Sequence, residues 1–186
     1  MKHSEVRNHI IETASNLFYT NGYNLTGINQ IISEAGIAKA TLYNHFKSKE
    51  DICVSYLQYK NATFSNLIKD FCHSKEKGGS QILGIFDFLL QFFKEKDFNG
   101  CWCINTISEL PKENQKIRIE IQNQKQELID FIKELLNQNL PEKSTESDSL
   151  SKQLYLLYEG AVAESHLHQS NWPILSAKSL CEKIIE

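Results

Sequence analysis

The feature that most constrains this chain is a pair of short apolar-periodic runs separated by one glycine, in "LTGINQIISEAGIAKATLYNHFKSKE". Ile28, Ile31, Ile32 and Ala35 follow the i, i+3, i+4, i+7 spacing of one helical face, and Ala38, Leu42 and Phe46 recur every four residues. Gly36 separates them. A longer stripe of Val6, Ile10, Ala14, Leu17 and Phe18 precedes both and stops at Asn21-Gly22, a good C-terminal signal. Helices this short cannot bury their stripes alone. Two of them joined by a tight glycine turn and braced by a third make a helix-turn-helix bundle.

Turning Ala38, Leu42 and Phe46 inward leaves Lys39, Ala40, Tyr43 and Asn44 on the outer face, flanked by Thr41 and His45. Short side chains let a helix approach the major groove closely, while Lys and Asn reach base edges; Asn29 and Gln30 are placed to reach in from helix two. Thr26, expected to cap helix two, joins Thr41, Tyr43, His45, Lys47 and Lys49 as donors for phosphate oxygens. Charged outer faces are usually only solvated. Here turn, period and donor set coincide, which points to DNA.

The stretch "GYNLTGINQIISEAGIAKATLYNHFKSKEDI", residues 22–52, resembles the DNA-binding signature of the tetracycline-repressor-like (TetR/AcrR) family of bacterial transcriptional regulators. The resemblance implies an all-α homodimer with an N-terminal DNA-binding domain, a ligand-binding domain, and a four-helix dimer interface built from the last two helices of each chain. It implies phosphate contacts from Thr26, Thr41, Tyr43, His45 and Lys49, and base contacts from Asn29, Lys39, Ala40 and Asn44. One departure is Ala38, where the family commonly has Ser or Thr. The recognition helix is then expected to lack a side-chain cap worth about 1 kcal/mol.

The rest of the chain is read as helical too. Only three prolines and eight glycines occur in 186 residues, with long runs of Leu, Ile, Lys, Glu and Gln. About nine helices are expected: 4–21, 27–35 after the Thr26 cap, 38–46, 49–72 after the Ser48 cap, 81–95, 102–110, 113–138, 149–169 and 173–185, with "NLPEKSTESD" as a polar linker. The expected division is a DNA-binding domain over 1–48 and a ligand-binding and dimerisation domain over 49–186. In helix four, Ile52, Tyr56, Phe64, Leu67 and Phe71 are the expected inward residues.

Five cysteines without a C-x-x-C pair, and no apolar leader, suit a reduced cytoplasmic protein. The most apolar segment, "ILGIFDFLLQFF", is too short to span a bilayer, which takes about 20 residues. Net charge is −3, but residues 1–60 carry six Lys/Arg against five Asp/Glu and the remainder 14 against 18, so the base lies at the front. No catalytic motif is present, and neither enzyme activity nor a cofactor or metal is expected.

The C-terminal part is expected to hold a small-molecule effector. Phe86, Phe88, Phe92, Phe93, Phe98 and Trp102 crowd one stretch, and with Tyr155, Tyr158, Cys103, Asn105, Glu109 and His166 they are read either as a pocket or as core packing. Asn105 and Glu109 share a helical face and can orient an effector, or Asn105 can brace a neighbouring helix. "GCWCINTISEL" resembles a G-C-x-x-x-N segment in a subset of the family, which implies a pocket wall there. Cys101 and Cys103 leave open a thiol- or metal-responsive regulator, and a helical ligand-binding protein without an operator is a second alternative. For the dimer, Leu154, Leu157, Tyr158, Ala161 and Glu164 on helix eight and Leu175, Leu180 and Ile184 on helix nine are expected at the interface, with Gly160, Ala161 and Ala163 forming a low ridge.

Overall fold

The computed structural model describes residues 3–186. Among them the elements are α1 His3–Asn21, α2 Ile28–Glu34, α3 Lys39–His45, α4 Lys49–His73, α5 Gly79–Phe92, α6 Trp102–Ser108, α7 Gln115–Asn139, a 3-10 helix Pro141–Glu146, α8 Ser147–His168 and α9 Trp172–Ile185. The all-α class and the helix order agree with the sequence reading. The linker read as irregular is the 3-10 helix, and α8 begins at Ser147. Pro141 at its start cannot propagate an α-helix backwards, which ends α7 and forces the tighter turn.

The chain divides into two compact units. One contains the chain up to Thr63 together with Trp102–Asn123; the other contains Phe64–Cys101 and Gln124–Glu186.

The first unit is built on the apolar stripes of α1, α2 and α3. Ile10, Ala14, Phe18, Ile31, Leu42 and Phe46 are buried, joined by Ile52, Tyr56 and Leu57 of α4 and Ile117 and Ile121 of α7. Two expectations change here. Thr26 does not cap α2: Gly27 occupies that position without a side-chain bond, and the fully buried Thr26 hydroxyl donates to the carbonyls of Gly22 at 2.8 Å and Leu17 at 3.2 Å. It ties the loop to the end of α1 instead. Ala38 is exposed and extended, the residue before α3 rather than its first inward position, so the four-residue repeat overran the helix by one step. The absent side-chain cap at Ala38 is as expected.

Ser48 accepts the Asp51 amide at 3.1 Å, and Asp51 in turn accepts the Lys47 amide at 3.1 Å. This reciprocal arrangement fixes the start of α4 and is a displaced form of the capping box.

The second unit centres on α5, which buries Gln81, Ile82, Gly84, Ile85, Phe86, Phe88 and Leu89 among residues of α4, α7, α8 and α9. Leu67, expected inward, is 55 % exposed, and its neighbour Ile68 takes the core position. Asn139 starts α5 two residues earlier than expected: its amide oxygen accepts the Gly78 N–H at 2.7 Å, while its amide nitrogen donates to Gln81 at 3.0 Å. Gly78 at φ +100° reaches a conformation that side chains rarely adopt. Asp87, which interrupts the apolar run, is held by Lys178 of α9 at 2.6 Å.

Candidate nucleic-acid interface

The recognition element is assembled from the turn outward. α2 closes at Ala35, and Gly36 at φ +62° reverses the chain while its amide bonds to Ser33 and that of Ile37 to Ile32. His9 of α1 meets the Ala35 carbonyl at 3.1 Å, pinning that corner. Leu42 and Phe46 then lock α3 with 0 % and 3 % exposure. Because those two point in, Lys39, Ala40, Tyr43 and Asn44 stand exposed on the opposite face, with Thr41 and His45 half-buried at its edges. Asn29 is exposed on α2, Gln30 is half-buried, and Lys47 is exposed in the turn before α4.

Thr26 leaves this group, because its hydroxyl is enclosed and engaged within the bundle. Lys49 is half-buried with its ammonium 4.2 Å from the Tyr23 ring centre, and burial holds its pKa below the ordinary lysine value. The stacked ring orients a cation that the sequence shows only as one charge among several. Burial also raises the Tyr23 phenol to about 12, with Cys53 and Glu50 adding to the rise, so the ring stays neutral.

The residues expected to line a ligand site fall in both units. In the first, Trp102 and Cys103 are buried, and Glu109 faces the loop after α1: it accepts the Asn24 amide at 2.7 Å, and its backbone carbonyl accepts the Asn24 side chain at 2.8 Å. Asn105 is half-buried, its carbonyl accepting the Ser108 hydroxyl at 2.8 Å. In the second unit Phe86 and Tyr158 are core, with ring centres 6.2 Å apart; Phe92 packs against Phe88 and Phe98; Tyr155 is half-buried; and His166 lies against Phe98.

A polar group that no local pattern indicated stands in the second unit. Lys125 donates to Glu159 at 2.6 Å and to the Cys101 sulfur at 3.0 Å. The ion pair is largely buried, and the second Glu159 carboxylate oxygen is enclosed without a hydrogen-bond partner. Burial, reinforced by Glu159, holds the Tyr158 phenol well above its ordinary value. Residues 24 and 34 positions apart carry no periodicity, so only the fold reveals the group.

The expected dimer set also divides. Leu154, Tyr158 and Ala161 lie in the core of their own unit, whereas Glu164, Leu175 and Leu180 are exposed and Leu157 and Ile184 half-buried. The exposed stripe of α8 is Leu156, Gly160, Ala163 and Leu167, spaced four, three and four residues apart. Gly160 looks onto open space.

Among the described residues no group of three His, Cys, Asp or Glu side chains converges to hold a metal ion. Nor is any helix among them long and apolar enough to cross a membrane. Cys53, Cys72, Cys103 and Cys181 are buried and Cys101 is half-buried, none of them in a disulfide.

Residues 10–55 match the family described as bacterial regulatory proteins, tetR family. The HTH-type transcriptional regulator SAB2452 of Staphylococcus aureus is 33 % identical over 131 residues, covering 70 % of this chain and 67 % of that protein. The uncharacterized HTH-type transcriptional regulator YxaF of Bacillus subtilis is 39 % identical over 64 residues, and the chain spans about a third of its length. SCO4454, a TetR-family transcriptional regulator from Streptomyces coelicolor, superposes with a TM-score of 0.88 at 23 % identity, covering 100 % of this chain and 95 % of that one. With the helix-turn-helix, its exposed recognition face and these relatives together, the chain belongs to the tetR family and is a DNA-binding transcriptional regulator.

Proposed function

We propose that the protein is a ligand-responsive repressor: a cytoplasmic homodimer that holds a palindromic double-stranded operator until a small molecule binds its C-terminal part. In this reading residues 1–48 supply the DNA-binding module and residues 49–186 the sensing and dimerising part. The observation that carries it is the face of α3, where buried Leu42 and Phe46 leave Lys39, Ala40, Tyr43 and Asn44 outward. Lys39, Asn44 and Asn29 read base edges; Thr41, Tyr43, His45, Lys47 and Lys49 hold phosphates.

One weakly basic module makes too few phosphate contacts for nanomolar binding, and a helix-turn-helix dimer reads two half-sites about 34 Å apart. The second copy docks on the α8 stripe of Leu156, Gly160, Ala163 and Leu167, with Leu175 and Leu180 of α9 beside it. The effector site is assigned to the aromatic cluster of the second unit, with Tyr155, Tyr158 and the Lys125–Glu159 pair as polar anchors. Induction requires the effector to bind the operator-free state more tightly than the bound one.

The test is a duplex titration against salt. Affinity falls steeply as salt rises, and Lys49→Ala softens the slope; absence of saturable duplex binding at low salt contradicts the reading.

A second reading, a thiol-responsive regulator, is supported by the half-buried Cys101 sulfur, which accepts from the Lys125 ammonium at 3.0 Å. Iodoacetamide labelling separates the two: alkylation of Cys101 that releases DNA, and is abolished in Cys101→Ser, supports the thiol reading, whereas slow labelling without effect on DNA opposes it.

A further inference from the structure

Beside the recognition face, the first unit contains a cleft of about 500 Å³ lined by Arg7 of α1, His45, Phe46 and Lys47 at the end of α3, Asp51, Val54 and Ser55 of α4, and Lys116 of α7. Its charge is unbalanced. Arg7, Lys47 and Lys116 bring three cations against the single carboxylate of Asp51, leaving two positive charges in excess. The cations come from separate elements.

The arginine is fixed before anything binds. Its Nη2 donates to the Ser55 hydroxyl at 2.9 Å, and its guanidinium carbon lies 4.9 Å from the Phe46 ring centre. That leaves the other N–H groups of a planar donor fork for an oxyanion. Lys116 is paired with Asp51 through one contact and keeps further N–H donors, and the Lys47 side chain is exposed. The Nδ1 of His45 is buried with no hydrogen-bond partner. Such an atom normally has one.

We propose that this cleft is a phosphate-binding site, with Arg7 as the bidentate donor and Lys47 and Lys116 as the supporting cations. The proposal rests on the DNA-binding reading above and extends it, since it adds α1 and α7 to an interface otherwise confined to α2, α3 and the start of α4. The phosphate belongs either to the operator backbone or to a free phosphorylated ligand. In both cases Arg7 is a binding residue and Phe46 and Ser55 position it. Burial, and then the charges of His3 and Arg7, keep His45 below the ordinary imidazole value; an oxyanion acts on it in the opposite direction.

Two titrations of the full chain test this. In the first, a random-sequence duplex of about four helical turns is bound at rising salt by the native chain and by Arg7→Ala, Arg7→Lys and Lys116→Gln. Arg7→Ala and Lys116→Gln each lower the slope of log K against log salt by about 0.9 per protomer, and Arg7→Lys retains it. In the second, millimolar inorganic phosphate is added while the His45 ring resonances are followed.

Lowered slopes without a saturable phosphate response identify a duplex phosphate as the occupant. A saturable response abolished by Arg7→Ala, with slopes unchanged, identifies a free phosphate-bearing ligand. Unchanged slopes together with no saturable response overturn the site. If Arg7→Ala disturbs folding, Lys116→Gln decides alone, because that side chain is 51 % exposed. Failure of the native chain to bind any duplex contradicts the regulator reading instead, and the phosphate titration then decides the cleft independently.

Discussion

The carboxylate of Glu109 accepts the backbone N–H of Asn24 at 2.7 Å, linking residues 85 positions apart. Gly22 makes the approach possible. At φ +86° it occupies left-handed backbone, and a Cβ there would collide with the Glu109 carboxylate.

Gly22→Ala is therefore expected to destabilise the protein by the roughly 1–2 kcal/mol that the backbone angle costs, and to push the flexible Glu109 carboxylate off the Asn24 amide. Glu109→Ala removes the collision, so the double variant loses less than the sum of the two single ones. Urea denaturation of all four proteins measures the coupling. Strict additivity would mean that the two sites do not meet in solution.

Tyr43→Phe tests the face of α3. The ring is 44 % exposed, so removing its hydroxyl leaves the melting temperature unchanged and weakens duplex binding about tenfold, the scale of one hydrogen bond to a charged group. A lowered melting temperature would show that the hydroxyl serves the bundle.

Asp51 sets an acid limit on the start of α4. The bond from Lys116, then those from Ser48 and Lys47, hold its carboxyl below the usual carboxylate value. With a folded pKa below the unfolded one, this contribution is fully present above the unfolded pKa of about 3.9 and is lost as pH falls through the folded pKa. Asp51→Asn should flatten the stability profile below about pH 4 and leave the relative order of stabilities at neutral pH in favour of the native chain. Urea midpoints between neutral and acid pH check it.

Leu156→Glu places a charge in the middle of the α8 stripe. Leu156 is 67 % exposed in the single chain, so the variant should keep its helical fold while sedimenting as single subunits. Leu154→Glu should fail to fold, because Leu154 is fully buried in its own unit. Equal effects of the two would contradict this division of the helix.

The helix-turn-helix was legible because two short stripes and one glycine admit little else, and Leu42 and Phe46 fell where their period placed them. Thr26 was misread since a hydroxyl before a helix looks the same whether it caps that helix or bonds back to the one before; only the Gly22 and Leu17 carbonyls distinguish the cases. On α8, apolar residues occur at 154, 156, 157, 158 and 161, and sequence alone does not say which of them faces α5 and α9. Lys125 with Glu159, Asn24 with Glu109 and Arg7 with Ser55 were invisible for one shared reason. Each pair is brought together by tertiary packing between segments whose local patterns are independent.

Selection of bound sites from a pool of random duplexes tests the central claim most directly. The full chain should enrich a two-fold symmetric sequence whose half-sites are one helical turn apart, about 10 bp, and Lys39→Ala or Asn44→Ala should relax the preference at the positions each one reads. A pool left unenriched by the native chain, or a preference untouched by either substitution, would contradict it.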